Sequence, residues 1–452
     1  MLRFALKSLI QLAAVSRLIL FIVQVIFDAC FEDFDTSTNQ ITLFEANISK
    51  SQSNIGRKIF NGVNKWDSVY FTYISIHGYE YEQMLAFYPG FPLLLNLFSR
   101  LTAGLFTCEY LTTCITSFFM NSFFFVVSTY YLYQLTDGIF GKKMAAVSSF
   151  LFIINPANVF MISSYSESLY SCLQFILLYY LERNHFLSAC TFICLSIITR
   201  SNGILNIAFL THFFLKRNAK TLIRQFSNKP ALLIFFLQPN NLLLTLINCL
   251  RFVLPLCFYL SGPAIVFAIH IFWVYDNYCH YNHVVSSSSH WCYNKIPLSY
   301  SYVQHKYWNV GLLKYFDTKQ IPNFLLASPV ILIVVIGLKK FASLQNSYLA
   351  IKSLGLIDTE NSHVEGESLK NPSDIFVYLT HCLFLTSFGL VAFHVQILTR
   401  MLFSSCPFLY WTLASIFIDN KTHNVKRTCI VIYFVIYNIT GVILHCNFYP
   451  WT

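Results

Sequence analysis

Apolar runs of roughly twenty residues recur along the whole chain, from 4–27 at the start to 428–446 near the end, with short polar turns between them. Runs of that length with few charges read as membrane helices, because about 20 residues in helical form are needed to cross the hydrocarbon core. The first run is too long for the apolar part of a secretory signal and lacks a small-residue cleavage site, so it is expected to remain as the first span. Further spans are expected near 111–134, 144–163, 168–182, 186–200, 203–215, 252–274, 322–338, 375–394, 401–418 and 428–446. That makes roughly eleven. Two apolar stretches fit less well. Residues 86–106 are broken by Pro89, Gly90 and Pro92 and read as an interfacial or re-entrant helix, and 231–250, broken by Pro239, reads as a hairpin on or dipping into the membrane. The fold class is an all-α polytopic membrane protein built as a single domain over 1–452.

Composition supports this. Hydrophobic residues make up 56% of the chain and charged ones 11%, too few for the surface of a soluble protein of 452 residues. The net charge of +10 does not point to nucleic acid, since the cations gather in alternate turns. Arg3 and Lys7, Lys142 and Lys143, the run Lys216, Arg217, Lys220, Arg224 and Lys229, the pair Lys339 and Lys340, and Lys421, Lys426 and Arg427 all fall on one side. The positive-inside rule makes that side cytosolic, along with the N-terminus. Residues 28–110, with an interfacial helix, and 275–321 then form two loops on the far side, the lumen if the membrane is that of the endoplasmic reticulum. Asn47-Ile48-Ser49 is an N-glycosylation acceptor in the first of them. Most of the 14 cysteines lie inside apolar segments as small fillers.

The charges that remain are the candidate chemistry. Between Asn64 and Leu93 stand Asp67, His77, Glu80 and Glu82 among aromatics, at a membrane edge. Asn64 could cap a short helix with Asp67 in its first turn, yet capping leaves the other three unexplained. A carboxylate at a water–lipid boundary suits a general base, because lost hydration raises a carboxylate's affinity for a proton. Glu167 reads either as an acid at a helix N-terminus or as part of a site. Arg200, beside Asn202, and Arg400, after His394 and Gln396, either snorkel from span ends or clamp a phosphate. Cys279, His280, His283, His290 and Cys292 match no strong zinc spacing, so no metal is assigned; a Cys279–Cys292 disulfide and unlinked residues stay open. No phosphate-binding glycine loop, nucleophile elbow or H-E-x-x-H motif is present. A carboxylate and arginines on one face of an aromatic-rich membrane body suit glycosyl transfer from a polyprenyl-phosphate sugar, which needs no cofactor in this scheme.

Trp66-Asp67, His77-Gly78-Tyr79-Glu80-x-Glu82 and Ala86-Phe87-Tyr88-Pro89-x-x-Pro92 resemble the first lumenal loop of the PIG-V family. So do Tyr165 to Leu169, Thr199 to Gly203, Gln304 to Gly311, Lys319 to Phe324 and His394 to Arg400, in the family's order over most of the chain. The resemblance implies a GT-C-like bundle in the endoplasmic reticulum membrane. It implies transfer of the second mannose, in α1,6 linkage and with inversion, from dolichyl-phosphate mannose to the GPI precursor. It gives Asp67 the catalytic position, puts Trp66, His77, Glu80 and Glu82 on the acceptor side, and Arg200 and Arg400 at the donor phosphate. Glu167, Asn202, Lys306, His394 and Gln396 complete the expected substrate contacts. Membrane lipids are the expected partners, and a small membrane accessory subunit is left open. Two other readings remain: a different dolichol-dependent mannosyltransferase, and a transporter. The second is disfavoured, because transporters place such acids on broken helices at the midplane and in paired repeats.

Overall fold

A computed structural model describes residues 6–34, 55–104, 108–226, 242–281, 290–357, 371–419 and 424–451, and these contain helices and turns but no strand. Six helices are long and apolar enough to cross a membrane: α1 (Leu6–Cys30), α5 (Glu109–Phe140), α10 (Leu242–Tyr275), α12 (Ile321–Ala342), α14 (Pro372–Ala392) and α17 (Asn424–Cys446). A bent pair, α15 (Leu398–Ser405) and α16 (Pro407–Ile418), would make a seventh with a 79° break. Pro407 causes the break, since the residue before a proline is pushed out of helical conformation. The other helices are α2 (Ile55–Phe60), α3 (Asp67–His77), α4 (Gly90–Leu101), α6 (Lys142–Ile153), α7 (Glu167–Glu182), α8 (Phe186–Thr199), α9 (Asn206–Phe226), α11 (Ser299–Trp308) and α13 (Ser347–Lys352).

By length and composition the described residues thus hold six or seven spans rather than eleven. The shortfall is local. Helices α6, α7 and α8 have 12, 16 and 14 residues, fewer than the ~20 that a full crossing needs. The segment expected at 144–163 stops at Ile153 because Asn155 turns the chain, its Oδ1 accepting the Ala157 N–H at 2.8 Å. Residues 242–250, expected in a hairpin, instead begin α10 and continue through Pro255 and Pro263. Pro239 and the glycosylation acceptor Asn47 lie outside the described residues, as does His283.

Helix α5 is central and packs on α1, α4, α6 and α7. Its buried face carries Ser117, Asn121, Ser128, Thr129 and Thr136, while Phe119 and Phe123 point outward. Phe118, Phe125 and Leu132 are buried on the same helix, so its packed face mixes large apolar side chains with the small and polar groups that let membrane helices approach closely. Two bonds show the polar face in use. Trp411 Nε1 donates to Thr136 Oγ1 at 2.9 Å, and Asn121 Nδ2 donates to the carbonyls of Ser163 and Tyr165 at 2.5 and 3.2 Å. The second fixes the turn leading into α7. The outward faces of α10 and α17 are likewise apolar, with Phe258, Ile265, Phe272, Val431 and Ile439 exposed.

The cationic turn at Lys216 sits far from the site described below. Lys216 Nζ meets Asp374 at 2.6 Å in the first turn of α14, whereas His394 follows that helix's other end. The 21 residues between span about 30 Å. At the site end, Cys279 and Cys292 form a disulfide, so neither thiol is available to a metal.

Candidate active site

Helix α3 begins at Asp67, immediately after Trp66, whose φ of 58° lies in the left-handed region. A bulky residue there is strained, a feature that concentrates at functional sites. Asn64 does not cap this helix: its Oδ1 accepts from Thr72 Oγ1 at 2.8 Å, and its Nδ2 donates to Tyr110 OH at 2.7 Å. The Asp67 backbone N–H instead donates to Tyr165 OH at 3.2 Å, joining the start of α3 to the turn before α7. Glu167 opens α7, and Ser166 makes no side-chain cap. Arg200 follows α8 in a turn closed by the Gly203 N–H on the Arg200 carbonyl at 2.9 Å. Only glycine fits at 203, because a Cβ there would collide with the Ser196 backbone. Arg400 lies in the first turn of α15.

These four charges meet. Arg400 Nη2 contacts Asp67 Oδ2 at 2.8 Å and its Nε lies 3.7 Å from Glu167 Oε1, while Arg200 Nη1 reaches the same Oε1 at 2.5 Å. The result is an alternating chain, Asp67–Arg400–Glu167–Arg200, with no net charge. Its members differ in access: the Asp67 side chain is 34% exposed, that of Glu167 2%. The Arg400 guanidinium also stands over the rings of Phe160 and Tyr165, at 5.3 and 5.5 Å. Burial pushes the Tyr165 hydroxyl pKa well above its usual 10, so the group stays a neutral donor.

All four charges line a cavity of about 810 Å³, together with Trp66, Asn202, His394 and Gln396. His394 stacks on Tyr315 at 4.6 Å, and burial lowers its pKa below 6.5, which favours the neutral ring. Gln396 Oε1 accepts from Tyr315 OH at 3.1 Å. Aromatic and aliphatic groups of α10 and α14, among them Phe267, Phe384 and Phe388, form the wall that continues toward the lipid-facing surface.

His77, Glu80, Glu82 and Lys306 do not line this cavity, contrary to the sequence expectation. For His77 the reason is the 11-residue length of α3, which carries the chain about 15 Å from Asp67 to His77, whereas Glu82 and Lys306 are taken up by each other. His77 is exposed and packs on the Tyr73 ring at 4.6 Å, and Tyr73 OH donates to Glu80 Oε2 at 2.5 Å. Glu82 is 5% exposed and accepts from Lys306 Nζ at 2.6 Å, Tyr307 OH at 2.9 Å and Trp291 Nε1 at 3.2 Å. It therefore anchors α11 and the disulfide-bonded turn to the first loop, and it raises the Lys306 pKa. Glu82→Gln is expected to destabilise the purified protein by about 1–2 kcal/mol, a value discounted because Lys306 is 38% exposed. Turnover per folded enzyme should stay within about threefold of wild type. Thermal unfolding in detergent alongside initial rates checks both.

Other groups at the site carried little sequence signal. Tyr165 lies in the stretch that marks Glu167 but had no assigned role. His445, whose Nε2 is 3.4 Å from Tyr165 OH, and Trp451, on the cavity wall, gave none.

Known proteins share this chain's sequence over most of its length. The GPI alpha-1,6-mannosyltransferase 2 of Rattus norvegicus is 28% identical over 99% of this chain and 98% of its own. That of Homo sapiens is 29% identical with the same coverage. The GPI mannosyltransferase 2 of Schizosaccharomyces pombe is 28% identical over 88% of this chain and 75% of its own. Among solved structures, the Archaeoglobus fulgidus oligosaccharyltransferase in its apo form is similar at a TM-score of 0.41 and 12% identity, over 96% of this chain and 56% of that one. Residues 6–452 match the family described as mannosyltransferase (PIG-V), and a match over nearly the whole chain means that the protein belongs to that family.

Proposed function

We propose that the protein transfers the second mannose, in α1,6 linkage, from dolichyl-phosphate mannose to a GPI-anchor precursor, with Asp67 as general base. The observation that carries the reading is the position of Asp67: it is the accessible carboxylate of a buried ion-pair chain, on a cavity shared with two arginines. The names of the full-length relatives support the linkage and the acceptor. The cavity is taken to open on the lumenal side of the endoplasmic reticulum, with the N-terminus in the cytosol, because the cationic turn at Lys216 lies at the other end of α14.

In the proposed step an acceptor hydroxyl attacks the anomeric carbon of the donor from the face opposite the phosphate. Its proton passes to Asp67, the bond from the anomeric carbon to the phosphate oxygen breaks, and the electron pair leaves with dolichyl phosphate. A β-linked donor thereby yields an α-linked product. Arg200 and Arg400 stabilise the leaving phosphate. Trp66, Asn202, His394 and Gln396 are assigned to the sugars, since indole, amide and neutral imidazole groups bind hydroxyls and ring faces without adding charge.

Lipid analysis tests this. In cells lacking the second GPI mannosyltransferase, a precursor bearing one mannose should accumulate, and expression of this chain should convert it to a two-mannose species. Conversion of a different dolichol-linked or protein-linked mannan, with that precursor left unchanged, would assign the chain to another mannosyl-transfer step.

A further inference from the structure

The two cations assigned to the donor phosphate are already engaged. Glu167 is 1% exposed, and its Oε1 receives Arg200 at 2.5 Å and approaches Arg400 at 3.7 Å. Its Oε2 has no hydrogen-bond partner among the described residues. Arg400 also holds Asp67. Two guanidiniums this little exposed, at 16% and 12%, need a counter-charge whenever no phosphate is bound, because an uncompensated buried charge is costly. The reaction sets a second demand. A glycosyl phosphodiester arrives with one negative charge, and the monoester that leaves carries up to about two. Unopposed arginines would therefore hold the product more tightly than the substrate and slow each turnover.

We infer that Glu167 is an internal counter-anion, a positioning residue that takes the phosphate's place between Arg200 and Arg400 between turnovers and competes with the product phosphate for them. The inference rests on the reading of both arginines as phosphate ligands. Glu167 is suited to the role in three ways. One of its oxygens binds Arg200 at 2.5 Å and lies 3.7 Å from Arg400 Nε, it is fixed at the first residue of α7, and its unpaired second oxygen leaves it without a competing anchor among the described residues. Asp67 is thereby left as the carboxylate facing the reactants.

Phosphate reaches this site from either of two lipids, the isoprenoid donor or the inositol phospholipid of the acceptor, and the probes separate them. Purified full-length wild type, Glu167→Gln and Glu167→Asp would be assayed with farnesyl phosphate as a product analogue, and separately with phosphatidylinositol vesicles. In wild type, farnesyl phosphate should compete with dolichyl-phosphate mannose. In Glu167→Gln it should inhibit roughly tenfold more tightly, with KM for the donor and kcat both reduced. Glu167→Asp, which keeps the charge on a shorter arm, should move in the same direction by less. Weaker or unchanged inhibition in the variants that fold would overturn the inference and leave Glu167 a structural ion-pair partner. Competition by phosphatidylinositol but not by farnesyl phosphate in wild type would overturn the donor assignment of the arginines. Tighter phosphatidylinositol inhibition in Glu167→Gln would, in that case, still support the counter-anion.

Discussion

Asp67→Asn is expected to lower kcat by about 10²–10⁴-fold, with KM for donor and acceptor changed by no more than about threefold. The substitution preserves shape. An asparagine Oδ1 can still accept from Arg400, and the backbone N–H of residue 67 still meets Tyr165 OH, so the start of α3 should hold its place. What is lost is a carboxylate that can take the acceptor's proton. A carboxamide cannot, and among the described residues no other carboxylate stands in the same position: Glu167 is enclosed between two guanidiniums, and Glu80 and Glu82 lie beyond the far end of α3. The loss should therefore fall on the chemical step. In cells lacking the second GPI mannosyltransferase, the variant should be expressed normally and fail to restore GPI-anchored proteins to the surface. Full restoration would remove Asp67 from catalysis, and a rise in KM with kcat unchanged would make it a binding group.

Much of the site is legible in the sequence because charge is scarce in a membrane body and must cluster where water or a partner is available. Asp67, Glu167, Arg200 and Arg400 stand out on that ground and do meet in space. The same reasoning groups His77, Glu80 and Glu82 with Asp67, and there it fails. Nearness along the chain is a poor guide once a helix intervenes: His77 and Glu80 pack at Tyr73 of α3 itself, and Glu82 holds α11 in place. Tyr165 and His445 were not recoverable from pattern alone, since a tyrosine in a turn and a histidine in an apolar helix look like ordinary packing until the turn before α7 is brought beside the end of α17. The long helices α1, α5, α12, α14 and α17 follow directly from apolar length. Helices α7 and α8 also fall where the apolar runs 168–182 and 186–200 place them, but α6 to α8 are shorter than full crossings, and the run expected at 144–163 is cut at Ile153 by the turn at Asn155.

Arg400→Gln is expected to cost both fold and function, and Arg400→Lys function far more than fold. Arg400 is the one side chain of the four that contacts two carboxylates, and it is only 12% exposed. Replacing it with a neutral group leaves Asp67 without its cation and Glu167 with Arg200 alone. Breaking such a buried arrangement from one side costs about 3–5 kcal/mol. Thermal unfolding in detergent should show this as a clear drop in midpoint. Lysine keeps the charge, so most of that stability should return. It has no planar fork, however, and cannot hold Asp67 through one nitrogen while another lies beside Glu167, nor present the flat face that stands over Phe160 and Tyr165. Activity of Arg400→Lys should accordingly fall by about 100-fold or more, because both the orientation of the base and the stabilisation of the leaving phosphate depend on that fork. Arg200→Gln supplies the comparison: Arg200 contacts Glu167 but not Asp67, so its loss should weaken donor handling while leaving the base oriented, and should cost less in kcat than Arg400→Lys. Near-wild-type rates in Arg400→Lys would show that charge alone suffices at this position, and that the fork serves packing rather than chemistry.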